Sequence, residues 1–107
     1  MSTRSLLPID AAEAAELADA FKLLGEPTRA RILYALLEHG ELNVTDLAET
    51  VEVPETSVSH ALRLLRTAGI VRNRRAGRMI FYALDDAHVR LLLEVSLEHL
   101  RHGAGDG

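Results

Sequence analysis

A change of pattern at Gly69 constrains the fold of this chain more than any other feature. Before Gly69, apolar residues recur every three or four positions, as they do along one face of an α-helix. After it, residues 79–84 are rich in Ile, Phe and Tyr, which is typical of a β-strand. A partner strand is expected over residues 71–75, with a turn at Ala76-Gly77. The sequence therefore predicts helices, then one β-hairpin, then a further helix.

Capping residues divide the rest of the chain into five expected helices. Asp10 is a typical N-cap for the first helix, Asn43 or Thr45 for the third, and Asp85 or Asp86 for the last. The helices are expected over about residues 10–24, 27–38, 46–51, 54–68 and 86–102, after a flexible tail at 1–9 and before another at 103–107.

This order of elements predicts a single winged helix-turn-helix domain over residues 10–102, mainly α with one β-hairpin. The length of 107 residues fits one domain. The chain has no cysteine, which excludes disulfides and thiolate metal ligands. No stretch approaches the ~20 apolar residues of a membrane helix, and the N-terminal apolar run is too short for a signal peptide. We therefore expect a cytoplasmic protein without a membrane partner.

The basic residues are concentrated in one segment, although the formal net charge is −4. Residues 54–78 contain one acid, Glu55, beside several arginines. Local charge governs attraction to phosphates, because charges beyond a Debye length are screened. This segment therefore predicts an interface with double-stranded DNA. Its arginines are Arg63, Arg66, Arg72, Arg74, Arg75 and Arg78.

The fourth helix has the composition of a DNA-recognition helix. Val58, Leu62 and Leu65 form an apolar stripe, and polar side chains of moderate reach occupy the other faces. The alternative is a solvated helix face beside an ordinary charged hairpin, with His60 as a cap or a surface residue. The expected DNA-binding residues are Thr56, Ser57, Ser59, His60 and Arg63 on the helix and Arg74, Arg75 and Arg78 on the hairpin.

The last helix carries three of the five histidines and an acid, at spacings that suggest a metal site shared between subunits. His99 and His102 are three residues apart and can face one ion. His88 and His99 are eleven apart, about 16 Å along a helix, so one chain cannot bring both to one ion. Two antiparallel copies crossing near Glu94 would bring Asp86 and His88 of one beside His99 and His102 of the other.

Leu92 and Val95 continue the stripe between these donors and predict a packing seam in a homodimer. Three imidazoles and one carboxylate without a thiol suit tetrahedral Zn²⁺ or Co²⁺. The alternative is a helix end that is rich in histidine, with Asp86 serving only as an N-cap.

Four short segments form a set that characterises one family of regulators. They are Leu23-Leu24-Gly25-Glu26-Pro27-Thr28-Arg29, Asp46-Leu47-Ala48, Val58-Ser59-His60-Ala61-Leu62, and Arg75-Ala76-Gly77-Arg78 with Tyr82. Over about residues 10–102 the chain resembles the ArsR/SmtB family of metal-responsive repressors. The resemblance implies a dimer formed through the first and last helices, which binds operator DNA and releases it when metal binds.

The resemblance also bears on the choice of metal. Asp86, His88, His99 and His102 match the last-helix site of the zinc- and cobalt-sensing branch. The family's other common site uses a cysteine near the start of the third helix, where this chain has Asn43. Nickel-sensing relatives add ligands, some near the N-terminus, and no histidine precedes position 39 here, so Ni²⁺ is less expected.

Three other functions compete with this interpretation. The first is a winged-helix regulator with another input or none. The second is a zinc hydrolase, which would need an open coordination position and a nearby general base. The third is a dimerisation module whose histidines only pack. The arrangement of four protein ligands argues against an enzyme, because it closes the coordination sphere.

Overall fold

The computed structural model describes residues 8–106, with side chains described as far as Gly103. The order of elements confirms the predicted winged helix-turn-helix, in which residues 44–67 form the helix-turn-helix and residues 71–84 form the wing. The elements are α1 (Ala11–Leu24), α2 (Pro27–His39), β1 (Leu42–Asn43), α3 (Val44–Val51), α4 (Glu55–Thr67), β2 (Val71–Ala76), β3 (Met79–Leu84) and α5 (Ala87–Asp106).

Side-chain caps fix where four of the helices begin, and at α2 the cap is Glu26, which accepts the Arg29 N–H. Asp10 accepts a backbone N–H in the first turn of α1 as part of a capping box. The structure resolves the two alternatives left by the sequence. Asn43, and not Thr45, caps α3, and Asp86, and not Asp85, accepts the backbone N–H at the start of α5. The cap at Asp86 ties one predicted metal ligand to the start of its helix.

The C-terminal end of α5 differs from the prediction. The sequence predicts an end near His102, but the helix continues through Gly103 to Asp106. Glycine ends a helix when it adopts a left-handed φ, as Gly69 does after α4, and Gly103 does not adopt one. The N-terminal tail was predicted over 1–9, of which residues 1–7 lie outside the described residues.

A short third strand joins the hairpin and was not predicted. β1 pairs antiparallel with β3, so that the sheet order is β1-β3-β2. In the register Leu42 lies opposite Tyr82, and Asn43 lies opposite Phe81. A strand of two residues carries no periodicity of its own, since its pairing depends entirely on the fold around it.

The hydrophobic core lies between α2, α3, α4 and the base of the hairpin. The predicted apolar stripe of α4 is buried in it. α5 adds Leu93, of which only 4% is exposed. The largest fully buried side chains are Ile32, Leu33, Leu36, Leu47, Val58, Leu62, Leu65 and Val71.

The two terminal helices leave apolar side chains uncovered. α1 has no buried residue, and Leu17 and Phe21 on its face are 46% and 56% exposed. On α5, Leu92 is 42% exposed and Val95 is 53% exposed. Apolar groups gathered on one surface are typical of a region that another chain covers.

A hydrogen bond joins α5 to α2, which packs against the helix-turn-helix in the core. The Tyr34 hydroxyl of α2 donates to the Leu93 carbonyl oxygen of α5 at 3.0 Å, and burial raises the pKa of Tyr34.

We expect Tyr34→Phe to lower the free energy of unfolding by about 1 kcal/mol, because the bond is lost while the ring remains. Urea unfolding followed by circular dichroism measures this. Tyr82→Phe is the matched control, since the Tyr82 hydroxyl bonds to no described residue; an equal loss in the control would contradict the assignment.

Candidate nucleic-acid interface and metal-ligating residues

The polar face of α4 is open to solvent as a recognition helix requires. Thr56, Ser57, Ser59, His60 and Arg63 are all exposed, whereas the apolar stripe on the other side is buried. The helix begins after Pro54, which makes no side-chain cap. The first-turn N–H groups of α4 therefore lack a side-chain acceptor, and such groups bind phosphate oxygens well.

An open cleft of about 540 Å³ runs beside this face, between the N-terminal ends of α2 and α4. Thr56, Ser57 and His60 line one wall, and Glu26 and Arg29 line the other. The Glu26 carboxylate accepts the Arg29 backbone N–H at 2.9 Å, and this bond lowers the pKa of Glu26. Because an acid and a base share one wall, the cleft is a recess beside α4 and adds little basic surface.

The wing arginines divide into two groups by their contacts. Arg75 and Arg78 are exposed near the hairpin turn. Arg72 donates to the carbonyl oxygens of Leu84 and Asp85 at the hairpin base, at 3.1 and 2.6 Å. Arg72 is therefore used within the fold.

Arg74 also has partners within the chain. Its guanidinium donates two hydrogen bonds of 2.8 Å each to the carboxylate of Glu41. These bonds lower the pKa of Glu41 and raise that of Arg74. Sequence analysis missed Glu41, because the two residues are 33 positions apart and the pairing depends on β1.

The four predicted metal ligands lie in two pairs, one at the N-terminal end of α5, where Asp86 immediately precedes the helix, and one further along it. At its start, Asp86 Oδ1 accepts the Val89 N–H at 2.9 Å, while Oδ2 lies 3.7 Å from His88 Nδ1. The bond from Val89 lowers the pKa of the Asp86 carboxyl. His99 and His102, about three to four helical turns further along, are exposed.

A single chain does not bring the two pairs together. Within the part of the chain that the structure describes, no group of three or more histidines and acids is close enough to hold one metal ion. Eleven residues separate His88 from His99, which is about 16 Å of helix. Each pair is at most half of a tetrahedral site.

An apolar surface occupies the space between the pairs. Leu92 and Val95 lie there on the exposed side of α5. A groove of about 220 Å³ continues it toward α1 and is lined by Phe21, Leu24 and Tyr34 among others. The donors and the apolar surface thus share one side of the domain, and a second chain that covered one would contact the other.

Within residues 8–106, no helix combines the length and the apolar character needed to cross a bilayer.

Comparison with known proteins gives concordant matches. The family model described as bacterial regulatory protein, arsR family, matches residues 26–73. The HTH-type transcriptional regulator NmtR of Mycobacterium tuberculosis is 43% identical over 99 residues, which are 92% of this chain and 82% of NmtR.

Two solved structures have the same fold over nearly the whole domain. The AntR antimony-specific transcriptional repressor has a TM-score of 0.82 at 37% identity, with 98% of this chain and 93% of AntR covered. The homodimeric winged helix-turn-helix DNA-binding domain of Mb0332 from Mycobacterium bovis has a TM-score of 0.76 at 30% identity, with 92% and 95% covered. All three proteins are described as transcriptional regulators or as DNA-binding domains.

Proposed function

Since the chain belongs to the ArsR/SmtB family of bacterial transcriptional regulators, we propose that it is a homodimeric repressor that releases operator DNA on binding Zn²⁺ or Co²⁺. The observation that carries this proposal is the division of four donor side chains into two pairs on the exposed side of α5. The family consists of transcriptional regulators and not enzymes, so the alternative of a zinc hydrolase is set aside. The site of action is then the cytoplasm, where operator DNA lies.

The exposed apolar side chains of α1 and α5 support the homodimer. Leu92 and Val95 lie between the two donor pairs, and Phe21 lines the adjoining groove. Burying such residues against a second copy is favourable by about 25 cal/mol for each Å² removed from water. The likeness to the homodimeric Mb0332 domain also supports this arrangement.

The donors fit a tetrahedral ion when two antiparallel α5 helices cross near Glu94. Asp86 caps the helix with Oδ1, so Oδ2 is the oxygen that would coordinate the ion. The imidazoles of His88, His99 and His102 are exposed. Three nitrogens and one oxygen suit Zn²⁺ and Co²⁺. AntR is described as specific for antimony, and we do not propose that specificity for this chain, because it has no cysteine with which to bind a soft ion.

The proposed DNA-binding surface combines α4 with the wing. Thr56, Ser57, Ser59, His60 and Arg63 face solvent together, where they would meet base edges and phosphates in the major groove. Arg75 and Arg78 would contact the backbone from the wing. Arg74, which the sequence predicts to join them, is paired with Glu41 within the chain.

Regulation requires a path from α5 to α4. A bound ion supplies a coordinate link between subunits and so fixes the angle at which the two α5 helices cross. Within each subunit, α5 is joined to α2 by the Tyr34–Leu93 hydrogen bond and by the burial of Leu93. α2 in turn packs against α3 and α4 in one core. A change in the crossing angle therefore moves each recognition helix relative to the ~34 Å spacing of operator half-sites.

A titration of the homodimer onto its own promoter DNA at fixed salt tests the proposal. We expect Zn²⁺ or Co²⁺ to weaken binding between about fivefold and 150-fold, which corresponds to a coupling free energy of about 1–3 kcal/mol. Metal-free protein treated with a chelator is the reference. DNA affinity that is indifferent to both ions would contradict metal sensing and favour a regulator with another input.

The absorption spectrum of the Co²⁺ complex tests the site itself. We expect strong visible bands, which are typical of tetrahedral coordination, at one ion per chain. Weak bands would instead indicate a higher coordination number and favour Ni²⁺ with additional ligands.

A further inference from the structure

Arg74 and Arg75 are neighbours in β2 but belong to opposite faces of the hairpin, because successive side chains of a strand alternate. The register places Arg74 opposite Phe81 and Arg75 opposite Ile80. The two arginines therefore cannot approach one DNA backbone in the same way.

Arg74 is held on its face by two contacts. Its Nε and one terminal nitrogen each donate to a different oxygen of the Glu41 carboxylate at 2.8 Å, which is the bidentate geometry that suits a guanidinium best. The guanidinium carbon also lies 5.0 Å from the centroid of the Phe81 ring. Exposed ion pairs contribute little to stability unless their geometry is ideal, and this pair has the bidentate geometry that meets that condition.

The pair lies where the sheet changes from three strands to two. β1 pairs with β3 at Tyr82 and Phe81, and from Phe81 toward the hairpin turn the wing is a two-stranded ribbon. Such a ribbon is only marginally stable alone. Since the strand order is β1-β3-β2, the Arg74 side chain spans β3 at this boundary and joins β2 to the residue before β1.

We propose that Arg74 is a positioning residue, which fixes the direction of the wing through Glu41, while Arg75 and Arg78 make the wing's phosphate contacts. The inference rests on the proposed DNA-binding function. The pair occupies the edge of the guanidinium formed by Nε and one terminal nitrogen, so a bidentate phosphate contact through that edge would require the pair to break. The Glu41 carboxylate also neutralises the charge that would attract Arg74 to a phosphate.

The salt dependence of DNA binding separates positioning from phosphate contact. The probe is a mixed-sequence duplex of about 30 base pairs, long enough for two half-sites, with binding followed by fluorescence anisotropy between about 50 and 200 mM NaCl. Each lost phosphate contact reduces the slope of log K against log[NaCl] by about 0.9. We expect the control, Arg75→Ala, to reduce the slope of the dimer by about 1.8, since both subunits lose a contact.

Arg74→Ala is expected to behave differently from this control. We expect affinity to fall by about three- to tenfold with the slope unchanged, because the remaining phosphate contacts are less well placed but equal in number. Arg74→Lys is expected to resemble Arg74→Ala, since an ammonium keeps the charge but cannot make the bidentate pair. A Lys variant that binds with the affinity and slope of the unaltered protein would overturn the proposal.

Glu41→Ala is expected to change DNA affinity in opposite directions, depending on whether Arg74 positions the wing or contacts phosphate. Positioning predicts weaker binding, with no further loss when Arg74→Ala is added, because both changes remove the same contact. If Arg74 contacts phosphate, Glu41→Ala strengthens binding by removing an acid, and the proposal fails. Amide hydrogen exchange in β2 and β3 should quicken in both variants but not in Arg75→Ala. Absence of salt-dependent binding by the unaltered protein would instead refute the proposed DNA-binding function.

Discussion

Replacing both His99 and His102 by alanine is expected to leave DNA binding intact and to abolish its weakening by Zn²⁺. Each proposed site takes two of its four donors from this pair, and the remaining Asp86 and His88 cannot complete a tetrahedral sphere. Both histidines are exposed and belong to neither the core nor the DNA-binding surface, so the change is not expected to affect folding. The fivefold to 150-fold response expected of the unaltered protein should fall to none.

Anisotropy titrations of the promoter duplex with and without Zn²⁺ measure this response. His39→Ala is the matched control, because His39 lies at the C-terminal end of α2, where its Nε2 is 3.7 Å from the carboxylate of the adjacent Glu38. The control should keep the full response. If the double variant still released DNA with Zn²⁺, the assignment of these donors would be wrong.

Replacing Val95 by glutamate is expected to separate the dimer into monomers. In the proposed antiparallel arrangement Val95 lies near the two-fold axis, so two carboxylates would be buried close together without counter-charges. Such burial costs about 3 kcal/mol or more, which raises the Kd of the dimer at least about 100-fold. DNA affinity should fall with it, because a monomer contacts only one half-site.

Sedimentation equilibrium over a range of protein concentrations measures the Kd of the dimer. Arg90→Gln is the control: it also lowers the net charge of α5 by one, at an exposed position on the opposite side of the helix from Val95. We expect the control to remain dimeric. A Val95→Glu protein that remained equally dimeric would place the subunit interface elsewhere.

Much of the fold could be predicted because its signals are local. The N-caps at Asp10 and Asn43 and the left-handed glycine after α4 act within one turn of the helices that they bound. The apolar stripe of α4 follows directly from helical periodicity, and the strands of the wing follow from their composition.

What the sequence could not predict depends on contacts between distant segments. β1 exists only because Leu42 and Asn43 lie beside β3. The Arg74–Glu41 pair exists only because β1 is there, so a wing arginine that looked available for DNA has a partner in the chain. No pattern within either segment indicates the other.

The proposed metal site is an intermediate case. A helix has a fixed rise for each residue, so the spacing of Asp86, His88, His99 and His102 gave two separate pairs from sequence alone, and the structure shows the same separation. The meeting of the pairs depends on a second chain, and the experiments on His99, His102 and Val95 test that step.

The exposure of all four proposed donors, Asp86 before α5 and the three histidines on it, has a consequence for how regulators of this kind diversify. A ligand that projects into solvent can be exchanged without leaving a cavity, whereas a change at Leu93 would disturb the interior. Under the proposed function, inherited substitutions at these positions would thus change which effector is detected, while the DNA-binding surface of α4 and the wing would be unaltered. A lineage with this architecture can acquire a new input by a few surface replacements.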